Sequence, residues 1–244
     1  MTPSPPRPRT VGVVLAGGTG QRVGAAVPKQ LLELAGRPII EHTIAAFEAA
    51  PEIDEILVLM AAGHTAEVET LVRRGGYGKV TAVVEGGASR TESTRRALAA
   101  LGPRECHVLL HDAVRPLLPP RVITDCVAAL ATHAAVTAAI PSSDTIVVAA
   151  ATPGGELIRD VPDRSALRRV QTPQGFHLSV IREAYERAYA DPGFGDRPAT
   201  DDCGVVLRYL PEIPIHLVPG DERNMKVTHP VDLLIAAELL RAAR

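Results

Sequence analysis

Short, almost wholly apolar runs alternate along this chain with longer segments whose apolar residues recur at helical spacing. Residues 11–15, 55–60, 80–85, 107–111 and 135–140 read as strands, and 39–49, 65–74, 90–101 and 121–132, which fall between them, read as helices. Strands that are apolar along their whole length are buried on both faces. Separated by helices, they predict an α/β fold: a Rossmann-like, mostly parallel sheet with helices on both faces.

The rhythm breaks over about residues 141–163. Two β-like pieces, 145–149 and 157–161, flank Pro153-Gly154-Gly155 and predict an inserted hairpin. Such an arm either reaches a partner subunit or is a plain surface hairpin. A helix at 178–190, a strand at 215–218 and a helix at 231–244 follow, with a loop at 191–199 that carries Pro192, Gly193, Gly195 and Pro198.

Length, charge and cysteine usage narrow the class. At 244 residues the chain suits one α/β domain, here 10–244. The proline-rich, basic stretch 1–9 lacks the apolar segment of a signal peptide and reads as a disordered leader. A net charge of −2, with 3% aromatic residues and no Trp, recommends neither nucleic acid nor an anionic membrane as partner. No apolar run reaches membrane-spanning length. Cys106, Cys126 and Cys203 are odd in number and far apart, which suits a reducing cytoplasm better than a disulfide framework or a cysteine metal site.

Candidate chemistry sits at the strand ends. After the first strand come Gly17, Gly18 and Gly20, then Arg22 and Lys29. Glycines there let backbone N–H groups approach an anion, and two cations at the loop's edge can neutralise a triphosphate. The dinucleotide fingerprint G-x-G-x-x-G fails, because Gly18, Gly20 and Gly24 leave one residue too many. The Walker loop fails too, since Lys29 follows Pro28 and precedes Gln30. An ordinary Gly-rich turn is the plainer alternative, and Arg22 and Lys29 weaken it.

Further strand ends carry Gly86, Gly87, Arg90 and Ser93; Asp112 and Arg115; and Ser142, Ser143, Asp144 and Thr145. In open parallel sheets ligands bind outside the carboxyl ends of the strands. Each cluster also has a plainer reading. Arg90 and Ser93 can simply open a helix capped by Ser89, and Asp112 can be a turn residue holding Arg115. His111, ending a buried strand, is more often a core residue than half of a catalytic pair with Asp112. Thr200-Asp201-Asp202 reads first as a helix N-cap with acids that complement the dipole. The eight His residues lack metal-ligand spacing, and neither a nucleophile elbow nor a Cys-His nucleophile is present.

Taken in order, these motifs resemble one family. They are Leu15-Ala16-Gly17-Gly18-Thr19-Gly20-Gln21-Arg22, Pro28-Lys29-Gln30, Gly86-Gly87-x-x-Arg90-x-x-Ser93, His111-Asp112-Ala113-Val114-Arg115-Pro116, Asp144-Thr145, Gln171-Thr172-Pro173-Gln174 and Lys226-Val227-Thr228. The family is the CTP-dependent cytidylyltransferases of polyol phosphates, which includes the 2-C-methyl-D-erythritol 4-phosphate and the ribitol 5-phosphate enzymes. The resemblance spans about residues 10–243.

It implies an enzyme that moves CMP from CTP to a phosphorylated polyol and releases pyrophosphate. Arg22, Lys29, Lys226 and Arg164 are implied as catalytic, with Arg164 supplied across a homodimer by the arm. Ala16, Gly17, Gly18, Gly87, Arg90, Ser93 and Ala113 are implied CTP contacts. Asp112, Arg115, Thr145, Thr172 and Thr200 are implied on the acceptor side. Mg²⁺ is expected mainly on CTP oxygens, with no protein ligand set. The chemistry agrees: a phosphate monoester is already an anionic nucleophile, so catalysis is positioning and charge neutralisation.

Three departures bear on the acceptor. Gly17-Gly18 stands where the methylerythritol enzymes usually have Ala-Gly, Val114 where they have Ala, and Cys203-Gly204 where they have Ala-Ser. All three tilt the expectation slightly toward ribitol 5-phosphate, with 2-C-methyl-D-erythritol 4-phosphate as the alternative, which residues 162–176 favour. A sugar-1-phosphate nucleotidyltransferase and a catalytically silent nucleotide-binding module are the remaining rivals.

Overall fold

The computed structural model describes residues 7–18, 27–197 and 199–242. Its apolar runs become β1 (Thr10–Ala16), β4 (Glu55–Met60), β5 (Val80–Glu85), β6 (His107–Asp112) and β7 (Ala135–Pro141). Between them lie α1 (Ile39–Ala49), α2 (Thr65–Gly75), α3 (Arg90–Ala100) and α4 (Pro120–Ala129). A short pairing of β2 (Glu33–Leu34) with β3 (Arg37–Pro38) precedes α1. The arm is β8 (Val148–Thr152) with β9 (Gly155–Asp160), a two-stranded sheet of its own. Then come β10 (Arg168–His177), α5 (Leu178–Ala190), α6 (Asp202–Tyr209), β11 (Ile215–Pro219) and α7 (Pro230–Ala242).

Seven strands form one sheet in the order β11-β7-β10-β6-β1-β4-β5. Every pairing is parallel except those of β10, which is antiparallel to both β6 and β7. β1 and β6, side by side near the middle, are buried at every position. Their alternate residues feed two cores. Val11, Val13 and Leu15 pack with side chains of α3, α5 and α6, while Val14 and Ala16 pack with those of α1, α2 and α4. A third cluster joins Leu34, Ile39, Val114, Val227 and Ala236, seating α7 beside the strand ends.

Several expectations change, among them the arm's first strand, β8, which starts at Val148, three residues later than predicted. The stretch 1–9 is not disordered throughout: Arg7 Nη2 lies 2.7 Å from Asp54 Oδ1, Arg9 pairs with Glu55, and His107 N donates to Arg9 O. Residues 1–6 lie outside the described residues. α4 stops at Ala129, three residues short of the predicted end. Most importantly, β10 has no counterpart among the predicted strands, although it sits inside the sheet. Its sequence, Arg-Arg-Val-Gln-Thr-Pro-Gln-Gly-Phe-His, is polar and holds a proline, which a central strand normally excludes. The ladder accommodates it with an irregularity between Val170 and Gln174. Gly175 is needed there, because a Cβ would lie 2.8 Å from Val136 Cγ2.

Candidate active site

The carboxyl ends of β1, β5 and β6 open onto a cleft of ≈ 450 Å³. Ala16, Gly17, Gly18, Lys29, Arg90, Ser93, Asp112, Val114 and Lys226 line it, with Gln30 beneath the turn after β1. Its charged side chains among the described residues are Lys29, Arg90 and Lys226 against Asp112, three cations to one carboxylate. A cleft with that balance suits a polyanion. Another cavity, ≈ 590 Å³, lies between α3 and α5. It collects none of the strand-end motifs, and the guanidinium of Arg182 in its wall is committed to the carbonyls of Leu98 and Gly102.

The first two strand-end loops press directly together. A Cβ on Gly17 would lie 2.4 Å from Ser93 Oγ, so only glycine permits this approach. Ser93 is buried, accepts from Gly87 N (3.0 Å) and donates to Ser89 O (2.9 Å), holding the Gly86–Gly87 turn in shape. Ser89 caps α3 by accepting from Glu92 N. Gln30, also buried, donates to the carbonyls of Ala16 (2.5 Å) and Gly18 (3.0 Å). It thus fastens the Gly-rich turn to the 3₁₀ turn Lys29–Leu31. Lys29 Nζ donates to Val227 O at 3.1 Å, so Lys29 and Lys226 hang on one short segment although they are far apart in the chain.

Asp112 is the electrostatic centre. Lys226 Nζ lies 2.9 Å from its Oδ2, Arg115 Nε 3.5 Å from Oδ2, and Arg90 Nε 3.4 Å from Oδ1. Burial alone would raise its pKa. The charges of Arg90, Lys226 and Arg115 overwhelm that effect and hold the carboxyl well below the usual carboxylate range. With three cations on its two oxygens it is a poor metal ligand. Among the described residues no group of three His, Cys, Asp or Glu side chains is placed to hold a metal ion.

Behind Asp112 the groups are structural. Burial drives the His111 pKa down to about 4, so the ring is neutral near pH 7. Its Nε2 donates to Arg115 O (3.3 Å), and its Nδ1 accepts from Thr172 Oγ1 (3.0 Å). Thr172 Oγ1 in turn accepts from Asp112 N (3.1 Å). His111 is therefore the core residue that its position suggested. Ala113 is fully buried, its N–H on Leu15 O and its carbonyl on Thr43. Arg115 Nη1 donates to Asn224 O (2.8 Å), tying β6 to the loop that carries Lys226.

The expected residues thus divide. The cleft gathers Ala16, Gly17, Gly18, Lys29, Arg90, Ser93, Asp112 and Lys226, with Gly87, Ala113, Arg115 and Thr172 directly behind. Thr145, Arg164 and Thr200 are exposed and line no part of it; Arg164 Nη1 donates to Ser143 O at 3.2 Å. Arg22 lies outside the described residues. The helix cap read at Thr200-Asp201-Asp202 belongs to Asp201, which accepts from Gly204 N at 2.8 Å.

Sequence reasoning missed three polar anchors. Gln171 Nε2 donates to Asp221 O (2.8 Å), Gln174 Nε2 donates to Asp201 Oδ2 (2.7 Å), and Asp202 lies 2.6 Å from Arg90 Nη1. The two glutamines stood in a quoted motif. Asp202 was read only as an acid complementing the helix dipole, and its first-turn position agrees, but nothing in the sequence linked it to Arg90.

Comparison with known proteins agrees with this geometry. The profile of the IspD family, 2-C-methyl-D-erythritol 4-phosphate cytidylyltransferase, matches residues 10–242. The 2-C-methyl-D-erythritol 4-phosphate cytidylyltransferase of Thermobifida fusca (strain YX) is 56% identical over 242 residues, 98% of this chain and 96% of that protein. The bifunctional ribulose 5-phosphate reductase/CDP-ribitol pyrophosphorylase Bcs1 of Haemophilus influenzae is 39% identical, over 96% of this chain but 48% of that protein. The crystal structure of 4-diphosphocytidyl-2C-methyl-D-erythritol synthase from Anaerococcus prevotii DSM 20548 superposes with a TM-score of 0.82 at 26% identity, covering 96% of this chain and 99% of that one. The chain belongs to the IspD family and is a CTP-using cytidylyltransferase of a polyol phosphate.

Proposed function

We propose that the acceptor is 2-C-methyl-D-erythritol 4-phosphate. The expectation of ribitol 5-phosphate gives way, because the family profile and the 56% identical relative both carry the methylerythritol name. Physical grounds point the same way. Cys203 is packed in the core and Gly204 lies against its own helix cap, so neither reports on the acceptor. Val114 does line the cleft, and it continues into the apolar cluster of Leu34, Ile39 and Val227. An apolar wall beside Asp112 suits a branching methyl group.

The observation that carries the reaction is the three-to-one excess of cations where the strand ends meet. The acceptor's phosphate oxygen attacks the α-phosphorus of CTP, and the bond to the pyrophosphate oxygen breaks. Negative charge grows on the leaving pyrophosphate, where Lys29 and Lys226 stabilise it, with Arg22 as their implied companion. Arg90 and the Gly17 and Gly87 turns hold the nucleoside, while Asp112 faces the polyol with Arg115 supporting it from behind. Mg²⁺ bound through the CTP phosphates would supply further charge neutralisation there. The buried, unpaired thiols of Cys106, Cys126 and Cys203 suit the cytoplasm, and no described helix is long and apolar enough to cross a membrane.

The test is kcat/KM for pyrophosphate release with CTP, Mg²⁺ and each acceptor in turn. A clear preference for the methylerythritol phosphate is expected, and a preference for ribitol 5-phosphate overturns the assignment. A site built around hydroxyl hydrogen bonds rejects an analogue that leaves them unpaired by up to about 10⁴–10⁵.

The arm supports a homodimer. It exposes Ile146, Leu157, Ile158 and Val161, with Leu157 at 64% and Ile158 at 67%. Thr145 and Arg164 flank it, exposed and available to a neighbouring cleft. Mixing inactive Arg164→Ala with inactive Lys29→Ala subunits is expected to restore part of the activity. A fully active monomer in sedimentation removes the arm from the mechanism.

A further inference from the structure

Asp202 lies at the start of α6, fully buried, and is no part of the cleft wall. Its Oδ1 accepts from Thr94 Oγ1 (2.9 Å) and from Tyr185 Oη (2.6 Å). Its backbone N–H donates to Gln174 Oε1 (3.0 Å). These partners come from α3, α5 and β10, so the residue is held from three sides, its carboxylate by α3 and α5. Two neutral donors occupy one oxygen, and the other, Oδ2, stands 2.6 Å from Arg90 Nη1.

Arg90 is thus stretched between two carboxylates, close to Asp202 and only 3.4 Å from Asp112 at Nε. Its Nη1 and Nη2, like Asp202 Oδ2, are buried and make no aligned hydrogen bond among the described residues, so Nη1 and Oδ2 meet as an ion pair. A buried N–H without an acceptor costs free energy, and Arg90 lines the cleft, where a ligand can supply one. Were Asp112 the sole carboxylate nearby, it would draw the guanidinium into a two-pronged pair. That collapse would block the cleft and displace Lys226 from Asp112.

We propose that Asp202 is a positioning residue for the nucleotide: it holds Arg90 back from Asp112, leaving unpartnered guanidinium N–H groups for CTP and Asp112 for Lys226 and the acceptor. This rests on the cytidylyl-transfer reading of the cleft. Coupling runs on through Tyr185, which has no place in the cleft and nevertheless orients the carboxylate.

Asp202→Asn tests it with little change in size. The amide oxygen can still accept from Thr94 and Tyr185, but the NH₂ then faces Arg90 donor to donor. Calorimetric titration with CTP and Mg²⁺, acceptor omitted, should show Kd weakened about tenfold or more. KM for CTP should rise with it, while kcat falls less. In an Arg90→Ala background the same substitution should add nothing. Tyr185→Phe and Thr94→Val each remove one donor to Oδ1 and should shift Kd the same way by less.

A purely structural Asp202 would lower the melting temperature and the active fraction, with an unchanged Kd for the folded protein, and that result overturns the proposal. An equal loss in the Arg90→Ala background overturns it too. If Asp202→Asn does not fold, the two other variants carry the test, and an unchanged Kd in both is contrary. Absence of CTP binding to the wild-type protein would instead sink the nucleotide reading itself.

Discussion

Replacing Lys29 with alanine is expected to lower kcat about 10²–10³-fold, about 2.7–4 kcal/mol of transition-state stabilisation, while CTP affinity changes much less. In the proposed reading the ground-state nucleotide keeps Lys226, Arg90 and the glycine turns, which line the same cleft. The pyrophosphate oxygen that gains charge as the bond breaks needs a fixed cation at that moment. Lys29 is suited to this because Gln30 and Val227 hold its segment in place. A donor already positioned gives up little reorganisation energy when the charge develops. Single-turnover kinetics at saturating CTP separates the two effects. Near-normal kcat with a weakened Kd would assign Lys29 to binding alone.

Asp112→Asn should cost about 3 kcal/mol of folding stability and most of the activity. Removing one member of a buried charge cluster leaves its partners uncompensated, a loss of about 3–5 kcal/mol for well-buried pairs. The lower figure applies here, because the Lys226 side chain is 40% exposed and Arg90 keeps Asp202. The pH dependence follows from the depressed pKa of Asp112. Its stabilisation is fully present above the ordinary carboxylate pKa of about 4 and drains away as pH falls below that toward the folded value. Denaturant unfolding at pH 7 should therefore separate wild type and variant, and the gap should narrow progressively below about pH 4. A gap within about 0.5 kcal/mol at pH 7 would contradict the cluster's role.

Much of the fold was legible because one rule governs it. In β4 and β5, and in α1 and α5, apolar periodicity alone decided the element, and the observed bounds coincide with the predicted ones. β10 broke that rule for a physical reason. It serves as a polar tie: Gln171 and Gln174 leave it in different directions to hold the 221–224 and 201–203 segments. Its stability comes from those partners and from antiparallel neighbours on both sides, neither of which a local window contains.

The cleft was legible to the extent that glycines and cations cluster at strand ends. Gly17, Arg90, Asp112 and Lys226 converge because β1, β5 and β6 end at one edge of the sheet and α7 packs Val227 against it. Asp202 was illegible, since its meaning lies in Arg90, Thr94 and Tyr185, all remote in sequence. Thr172 and Ser93 carry a subtler lesson. A motif position next to a substrate can be kept by the backbone it fastens: Asp112 N for the one, Gly87 N for the other.

The most direct test of the central claim is to give the purified protein CTP labelled at the α-phosphate, Mg²⁺ and 2-C-methyl-D-erythritol 4-phosphate. Label is expected to enter a cytidine diphosphate ester of the acceptor, one equivalent for each pyrophosphate released, and to do so far better with CTP than with ATP, GTP or UTP. Pyrophosphate release without labelled ester, or equal use of all four nucleotides, would contradict the account.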